Sequence, residues 1–329
     1  MSPFITIIVT AYNIERYIIE ALNSCIQQDY INYEIICIDD GSTDNTYENI
    51  KNYIHCIKTT KITVYKKNNG GPNSARREGI KHANGDYIFF MDGDDILPIN
   101  ALSSLANELN DHLYDIVFGS FQIITDKSDI IKTFNYNIKK GCSGIKALET
   151  YIYNPKAIWG KLIKRSLFTN NDINYLFELK IGEDAALMTQ LLFYSKDISE
   201  CKNITYIYRA QRVNSLYTQY GHDSNYEYII PSYLYISNFL SNRNLINNPI
   251  YFNFFHNIIY RYLTDKRKAN NNDKDIQTII NNLPFEIIPH KDKIAKLLYP
   301  LSKINIKYGR AFLKLSEKWF TFKNIIISK

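Results

Sequence analysis

The sequence predicts an α/β fold with a mainly parallel central sheet, followed by a mostly helical C-terminal region. Three observations predict it. Apolar strands and amphipathic helices alternate over the first ~120 residues. Successive strands there lie about 30 residues apart, the spacing of βαβ units with right-handed crossovers. Beyond about residue 145 the strand signal fades, and helical periodicity with many aromatic residues takes its place.

The first predicted βαβ unit starts with the buried strand Phe4–Val9. The helix after it has apolar residues at helical spacing as far as Ile26, and Asn13 is the predicted N-cap. Glu34–Ile38 is the second strand. Tyr87–Met91 is continuously apolar, as expected of a central strand that is covered on both faces. The other predicted elements of this region are a helix from Gly41, a strand over Ile62–Tyr65, a helix from Pro72, a helix over Asn100–Leu109 and a strand over Asp115–Ile123.

The chain length of 329 residues suits one large α/β domain with a smaller C-terminal region. We expect three parts. They are residues 1–125, residues 126–225 and residues 226–329, of which the last is a helical C-terminal region.

Composition excludes several classes of protein. The five cysteines are odd in number, widely spaced and without a C-x-x-C pair, so neither a disulfide framework nor a zinc site is indicated. The sequence has no signal-peptide pattern and no run of ~18 apolar residues that could span a bilayer. The six histidines show no metal-ligand spacing. We expect a globular cytoplasmic protein that does not bind nucleic acid.

The chemistry is expected where the parallel strands end, because open α/β sheets bind ligands at the carboxyl ends of their strands. Those positions hold Thr10–Asn13, Asp39–Ser42, Lys67–Gly71 and Asp92–Asp95. Neither G-x-G-x-x-G nor a P-loop is present to hold phosphate. Carboxylates in Asp92–Asp95 could instead hold Mg²⁺ or Mn²⁺, which leaves coordination positions open for phosphate oxygens.

At these positions the sequence resembles the family-2 glycosyltransferases with the GT-A fold, a Rossmann-like nucleotide-binding fold. The resemblance extends in the same order over about two thirds of the chain. It rests on Ile7–Asn13, Ile38–Asp44, Ala75–Ile80, Gly85–Ile88, Met91–Asp95, Trp159–Leu162 and Gly182–Asp184.

The resemblance implies that residues 1–125 form the nucleotide-sugar-binding core and that residues 126–225 form the acceptor side of the catalytic domain. It also implies a role for each matching residue. The nucleotide would be bound by Thr10, Tyr12, Asp40, Arg76 and Asp92. Within that set Tyr12 would stack near uracil and Asp40 would accept a hydrogen bond from the base. Asp94 would coordinate the metal, and Asp184 would be the catalytic base. The acceptor side would be formed by Trp159, Lys161 and Glu183.

The function implied is a metal-dependent, inverting transfer of a sugar from a nucleotide diphosphate, expected to be a UDP-sugar, to a hydroxyl of a glycan or lipid-linked acceptor. Bacterial surface polysaccharide synthesis is the expected context. One alternative is a sugar-nucleotide nucleotidyltransferase, which should have a Gly-rich phosphate loop where Ala11–Asn13 stands. The other is a non-catalytic binding module, which should have lost Asp94 or Asp184.

Structural interpretations compete for the same residues. Asp39 and Asp40 could be turn formers. The acidic run from Asp92 could be a polar loop, although like charges at the end of a buried strand repel unless a cation neutralises them. Asp184 could cap its helix, a role compatible with catalysis. Arg76 could be a solvated charge, and Trp159 could belong to the core.

The C-terminal segment Lys303–Phe320 predicts an amphipathic helix. Its basic stripe consists of Lys303, Lys307, Arg310, Lys314 and Lys318, and its apolar stripe of Ile304, Tyr308, Ala311, Leu315 and Trp319. A polar face of one sign beside terminal aromatics favours peripheral binding to an anionic membrane surface. An ordinary surface helix that packs its apolar stripe on the domain remains the alternative.

Overall fold

The computed structural model describes residues 2–126, 128–152, 156–210, 226–264, 272–283, 298, 300–303, 305–309 and 311. The chain forms two compact units, Met1–Gln219 and Tyr220–Lys329.

The first unit is built of alternating strands and helices in its N-terminal half. Its described strands are β1 (Ile5–Ala11), β2 (Tyr33–Asp39), β3 (Ile62–Lys66), β4 (Tyr87–Asp92), β5 (Ile116–Ile124), β6 (Ile130–Phe134), β7 (Lys161–Lys164) and β8 (Ile198–Arg209). Its described helices are α1 (Ile18–Ile26), α2 (Thr46–Ile57), α3 (Pro72–His82), α4 (Ala101–Asn107), α5 (Gly144–Tyr151), α6 (Ser166–Thr169) and α7 (Glu183–Tyr194).

The described strands form one mixed sheet in the order β3-β2-β1-β4-β7-β5-β6, with β8 paired to β5. β1 pairs in parallel with both β2 and β4, and β2 pairs in parallel with β3. β7 is antiparallel to its neighbours β4 and β5. The parallel half therefore carries the βαβ units, as the spacing of the strands predicts, and the α/β class is confirmed.

Helices cover both faces of the parallel half, since the side chains of β1 are buried along nearly its whole length. Helix α3 packs closely against β1 at Gly79. A Cβ atom there would lie 2.4 Å from Ile8 Cγ2 in β1, so the helix can approach the strand this closely only with glycine. This contact holds α3, and with it Arg76, against the sheet.

The region after residue 145 is mostly helical where it is described, as expected, but it also contributes β7 and the twelve-residue strand β8. Both pair with β5, and pairing between segments distant in sequence leaves no local periodicity to detect. Asn13 is not the predicted N-cap of α1, because the helix starts at Ile18. Asn13 instead has φ 50°, and its Oδ1 accepts a 2.8 Å hydrogen bond from the N–H of Thr43.

The second unit is helical where it is described, as predicted. Its helices are α8 (Tyr226–Ser241), α9 (Pro249–Thr264) and α10 (Asp273–Asn282). Three isoleucines of α10, Ile276, Ile279 and Ile280, are completely buried, and their spacing is that of one helix face. Among the described helices, none combines the length and apolar character needed to cross a bilayer.

Most of the predicted amphipathic segment Lys303–Phe320 lies outside the described residues, which include only 303, 305–309 and 311 of it. Residues 306–309 are helical. Tyr308 of the predicted apolar stripe is 55% exposed, and Ala311 is exposed as well.

Candidate active site

The carboxyl ends of three parallel strands meet at one edge of the sheet. In the register of β1 with its neighbours, Thr10 lies opposite both Ile38 and Asp92. The Thr10 hydroxyl donates to Asp92 Oδ1 at 3.3 Å. Tyr12, two residues further, is 46% exposed, so its ring is available to a ligand at this edge. The strands therefore bring together the predicted nucleotide-binding residues of β1 and β4.

Asp40 anchors the loop that joins β3 to α3. Its side chain is 5% exposed, and its carboxylate accepts hydrogen bonds from Lys67 Nζ at 2.5 Å and from the N–H groups of Gly70 and Gly71 at 3.1 and 2.8 Å. A carboxylate has about four acceptor positions, so this loop uses most of them. The structure thus gives Asp40 a loop-organising role at the predicted base pocket.

Asp39 is a turn residue, as the structural interpretation predicts. It is fully buried, and its Oδ2 accepts a 3.2 Å hydrogen bond from the N–H of Ser42. Gly41 follows with φ 77°, and a Cβ there would lie 2.7 Å from the backbone nitrogen of Asn69. Only glycine allows this turn to lie so close to the neighbouring loop.

Arg76 is the centre of the site. Its side chain, on α3, is 3% exposed. Its Nη1 lies 2.5 Å from Asp184 Oδ1 and 3.7 Å from Glu183 Oε1, and its Nη2 lies 3.4 Å from Asp92 Oδ1. Burial lowers the pKa of Arg76, but the charges of Asp184, Asp92 and Glu183 outweigh it and raise that pKa above its ordinary value. The alternative of a solvated surface charge is therefore wrong for Arg76.

Asp184 sits in the first turn of α7, which starts after Gly182 at φ 81°. The Asp184 side chain makes two charge-assisted contacts from different directions. Its Oδ1 accepts from Arg76, and its Oδ2 accepts a 3.1 Å hydrogen bond from the N–H of Ile158. Burial raises the pKa of Asp184, the Arg76 charge opposes this, and the net shift is upward. A buried carboxylate with a raised pKa and a fixed orientation suits a general base.

The loop after β4 is pinned by β8, through two residues that the sequence analysis missed. Tyr206 Oη donates to Asp95 Oδ2 at 2.6 Å and accepts from the N–H of Asp92 at 3.1 Å. The N–H of Arg209 donates to Asp95 Oδ1 at 2.8 Å, and its Nε donates to the Asp94 carbonyl at 3.1 Å. The β-branched and aromatic run Ile204–Tyr208 is the signal that could have identified this strand.

Trp159 and Lys161 lie in the core. Trp159 is 6% exposed and stacks on Tyr206, with 4.2 Å between ring centroids and 9° between planes. Lys161 is fully buried, and its Nζ is hydrogen-bonded to Tyr136 Oη at 3.1 Å and to the carbonyls of Ala157 and Trp159 at 2.9 and 3.0 Å. The complete burial of Lys161 is contrary to its predicted contact with the acceptor, whereas Trp159 keeps a small exposed surface and its contact with the acceptor stays a prediction.

Several acidic residues of the site have raised pKa values. Burial raises the pKa of Asp95 well above its ordinary value, and the charges of Asp94 and Asp92 add to that shift. Burial and the charge of Asp184 raise the pKa of Glu183 to about 8, against the opposing charge of Arg76. Burial is the largest cause in both cases, and a bound cation would oppose the contribution of the neighbouring carboxylates.

A divalent cation fits the residues at the β4 end. No group of three or more His, Cys, Asp or Glu side chains among the described residues could hold a metal by itself. Mg²⁺ and its relatives need only one or two protein carboxylates when phosphate oxygens and water complete the coordination. Asp92, with a side chain 32% exposed, and Asp94 are carboxylates of this kind.

An α/β fold with this acidic site at the carboxyl edge of its parallel strands is the arrangement that the resemblance to family-2 glycosyltransferases implies. The family model for Glycosyl transferase family 2 matches residues 6–168. The chain therefore carries a family-2 glycosyltransferase domain over these residues.

Individual relatives agree with the family. The chain is 28% identical to glycosyltransferase GlyG of Streptococcus pneumoniae over 231 residues, covering 67% of this chain and 75% of GlyG. It is 27% identical to the poly(ribitol-phosphate) β-N-acetylglucosaminyltransferase TarS of Staphylococcus aureus over 213 residues, covering 63% of this chain but only 35% of TarS.

Two solved structures share the fold. The structure of TarS residues 1–349 in complex with UDP-GlcNAc has a TM-score of 0.73 at 20% identity, covering 96% of this chain and 92% of that one. The mannosyltransferase PcManGT from Pyrobaculum calidifontis, in complex with GDP-Man and Mn²⁺, has a TM-score of 0.54 at 17% identity, covering 95% of this chain and 85% of that one.

The raised pKa of Glu183 predicts a pH-dependent stability. Folded protein keeps the Glu183 proton up to pH about 8, whereas the unfolded chain releases it near the ordinary value. The folded state therefore binds more protons between about pH 4.5 and 8, and the free energy of unfolding falls as pH rises, by at most ~1.4 kcal/mol per pH unit from this group. Urea unfolding in chelator at pH 5 to 8 should show that Glu183→Gln loses this slope.

The matched control is Glu178→Gln, an exposed carboxyl in the loop before α7. It should keep the slope of the unmodified protein. Equal slopes for the unmodified protein and Glu183→Gln would show that Glu183 is ionised when folded, and that the repulsion around Arg76 is smaller than the geometry indicates.

Proposed function

We propose that this glycosyltransferase moves a sugar from a nucleotide diphosphate donor to a hydroxyl group of a glycan or lipid-linked acceptor, with inversion at the anomeric carbon and with a divalent metal. The observation that carries the proposal is the buried Arg76 guanidinium, which joins Asp92 at the donor side to Asp184 at the start of α7. The guanidinium therefore holds Asp92, near the proposed metal site, and Asp184, the proposed base, on the same side chain.

A UDP-sugar is the proposed donor. Tyr12 offers an exposed aromatic ring after β1, and Asp40 follows the neighbouring strand β2 at the same edge of the sheet, as expected of a pocket for a flat base. The relative TarS has been solved with UDP-GlcNAc. The poly(ribitol-phosphate) β-N-acetylglucosaminyltransferase TarS supports a place in bacterial surface polysaccharide synthesis. The solved complex of PcManGT with GDP-Man and Mn²⁺ supports Mn²⁺ or Mg²⁺ as cofactor.

Asp184 is the proposed general base. In the transfer it accepts the proton of the acceptor hydroxyl as that oxygen bonds to the anomeric carbon. The bond from this carbon to the diphosphate oxygen breaks on the opposite face, and its electron pair leaves with the nucleotide diphosphate. Arg76 and the N–H of Ile158 hold the two carboxylate oxygens, so the Asp184 side chain is oriented before the substrates arrive.

Asp94 is the proposed metal ligand, with Asp92 beside it at the end of β4. A bound divalent cation would stabilise the negative charge that develops on the departing diphosphate. The protein holds this loop in place through Tyr206 and Arg209, which bind the side chain of Asp95 and the carbonyl of Asp94. Glu183, 3.7 Å from Arg76, stands on the acceptor side of Asp184 in this proposal.

Peripheral attachment at the cytoplasmic face of a membrane is the proposed location, through residues 303–320. Where the segment is described, Tyr308 and Ala311 of the apolar stripe are exposed rather than packed on the unit. An exposed apolar stripe beside a basic one is the arrangement of a helix that lies in a membrane interface. Attachment there would bring the site to a lipid-linked acceptor.

Asp94→Asn should remove the metal-dependent part of nucleotide diphosphate binding. Calorimetric titration of UDP should show binding to the unmodified protein in Mn²⁺ at least about tenfold tighter than in chelator, a difference of ~1.4 kcal/mol. The variant should show the same weak binding in both. Asp111→Asn, an exposed carboxyl elsewhere on the unit, is the control and should bind like the unmodified protein. Full turnover in excess chelator would contradict the metal assignment.

Asp184→Asn should lower kcat by ~10²–10⁴ and leave the Kd of UDP within about twofold, because it removes the base and keeps the size of the side chain. Donor turnover with a hydroxyl acceptor, followed by mass spectrometry, measures the first quantity, and calorimetry measures the second. Asp172→Asn, an exposed change in the loop before α7, is the control. Near-normal turnover would show that another residue is the base, and Glu183 would be the first candidate.

Truncation after Pro300 should abolish binding to anionic liposomes. At ~1 kcal/mol per basic residue near an anionic surface, the five basic residues of the predicted stripe supply reversible attachment that high salt weakens. Co-sedimentation of the full chain and the truncated chain at low and high salt measures it. Equal binding of both chains, or binding of neither, would show that the segment is structural.

A further inference from the structure

Lys161 is a fully buried lysine that the proposed mechanism does not use. Burying an ammonium group is costly unless hydrogen bonds compensate it. Here Nζ has three oxygen partners within 3.1 Å, the phenol of Tyr136 and the carbonyls of Ala157 and Trp159. Burial lowers the pKa of Lys161 to about 7, while the charge of Asp184 opposes this shift. The lysine therefore interacts electrostatically with the proposed base without touching it.

The physical connection between the two residues is one peptide group. The carbonyl of Ala157 and the N–H of Ile158 belong to the same planar unit, and a trans peptide directs them to opposite sides. Lys161 holds the oxygen end at 2.9 Å, and Asp184 Oδ2 accepts from the nitrogen end at 3.1 Å. Rotation of this peptide would break both hydrogen bonds at once.

The neighbouring residues make this arrangement rigid. Lys161 Nζ also donates to the carbonyl of Trp159, so the carbonyls of Ala157 and Trp159 are held by the same atom. Gly160 has φ 69°, which turns the chain back so that Lys161 can reach these carbonyls. The side chain of Ile158 is fully buried. Successive hydrogen bonds through a peptide group also polarise one another, which strengthens the bond to Asp184.

We propose that Lys161 is a positioning residue for Asp184: by holding the Ala157 carbonyl it fixes the Ile158 peptide, and that peptide fixes the orientation of the Asp184 carboxylate. The inference rests on the proposed role of Asp184 as the base. Lys161 acts through the peptide and does not contact the substrates.

The test is a double-mutant cycle that combines Lys161→Met with Asp184→Asn. Lys161→Met keeps the length of the side chain and removes its donors. It should lower kcat by up to ~10²-fold, the loss that a misplaced catalytic group can cause, with the Kd of UDP unchanged within about twofold. In the Asp184→Asn background the same change should cost less than about threefold, because the group that it positions is already lost.

Two further variants separate positioning from stability. Ile163→Ala, a buried residue two positions along β7, should lower the melting temperature and leave kcat unchanged at assay temperatures below the transition. Tyr136→Phe removes one of the three Nζ partners with little loss of volume. It should lower kcat by about 2- to 10-fold, the range for one hydrogen bond, and its effect should also shrink in the Asp184→Asn background. This second variant decides the question if Lys161→Met does not fold.

Each variant has a result that would refute the proposal. An unchanged kcat in Lys161→Met, or in Tyr136→Phe when the first variant does not fold, refutes the proposal. An equal fold-loss with and without Asp184→Asn refutes it as well, because the lysine then acts independently of the base. If Asp184→Asn itself keeps near-normal turnover, the base assignment fails instead, and the two failures are distinguishable within one set of measurements.

Discussion

The site depends on one buried cation, the guanidinium of Arg76. It contacts Asp92 at the end of β4 and Asp184 at the start of α7, elements that lie far apart in the chain. Removing one partner of a buried ion pair costs roughly 3–5 kcal/mol, because the remaining charge stays desolvated. Each carboxylate is thus held in place by the need to neutralise Arg76. The close packing of α3 at Gly79 supports the guanidinium from behind, since it sets the distance of the helix from the sheet.

One guanidinium faces several acids at this site. Glu183, Asp184 and Asp95 all have raised pKa values, and in each case burial is the largest cause. A structural site would be expected to pair its buried charges or replace them with apolar groups. More acids than cations at the edge of a sheet instead favour the proposed metal, and the raised pKa of Asp184 suits the proposed base.

The sequence was sufficient to predict where the acidic strand ends meet, but not which residues support them. Asp40, Asp92 and Asp94 lie at or just after the ends of strands that are recognisable by local hydrophobicity, and parallel strands place their carboxyl ends together. Tyr206 and Arg209 were missed because the place of β8 in the sheet depends on pairing with β5, a contact between distant segments that the local pattern does not specify. Lys161 was recognised by resemblance but expected on the acceptor side, since a motif identifies residues and does not say which way the side chains point. For Trp159 a place in the core was already the alternative.

The buried segment at residues 157–161 shows how such a site is supported. The Trp159 ring stacks on Tyr206, whose hydroxyl binds Asp95, so the segment at residues 157–161 borders the acidic loop through its aromatic side chain. The same segment borders Asp184 through the N–H of Ile158. Lys161 fastens the segment from inside the core, where no ligand reaches it. A short stretch of buried chain therefore supports both the acidic loop expected to face the leaving group and Asp184, which is expected to face the acceptor. A change in the buried residues of this stretch should affect donor binding and proton transfer without contacting either substrate.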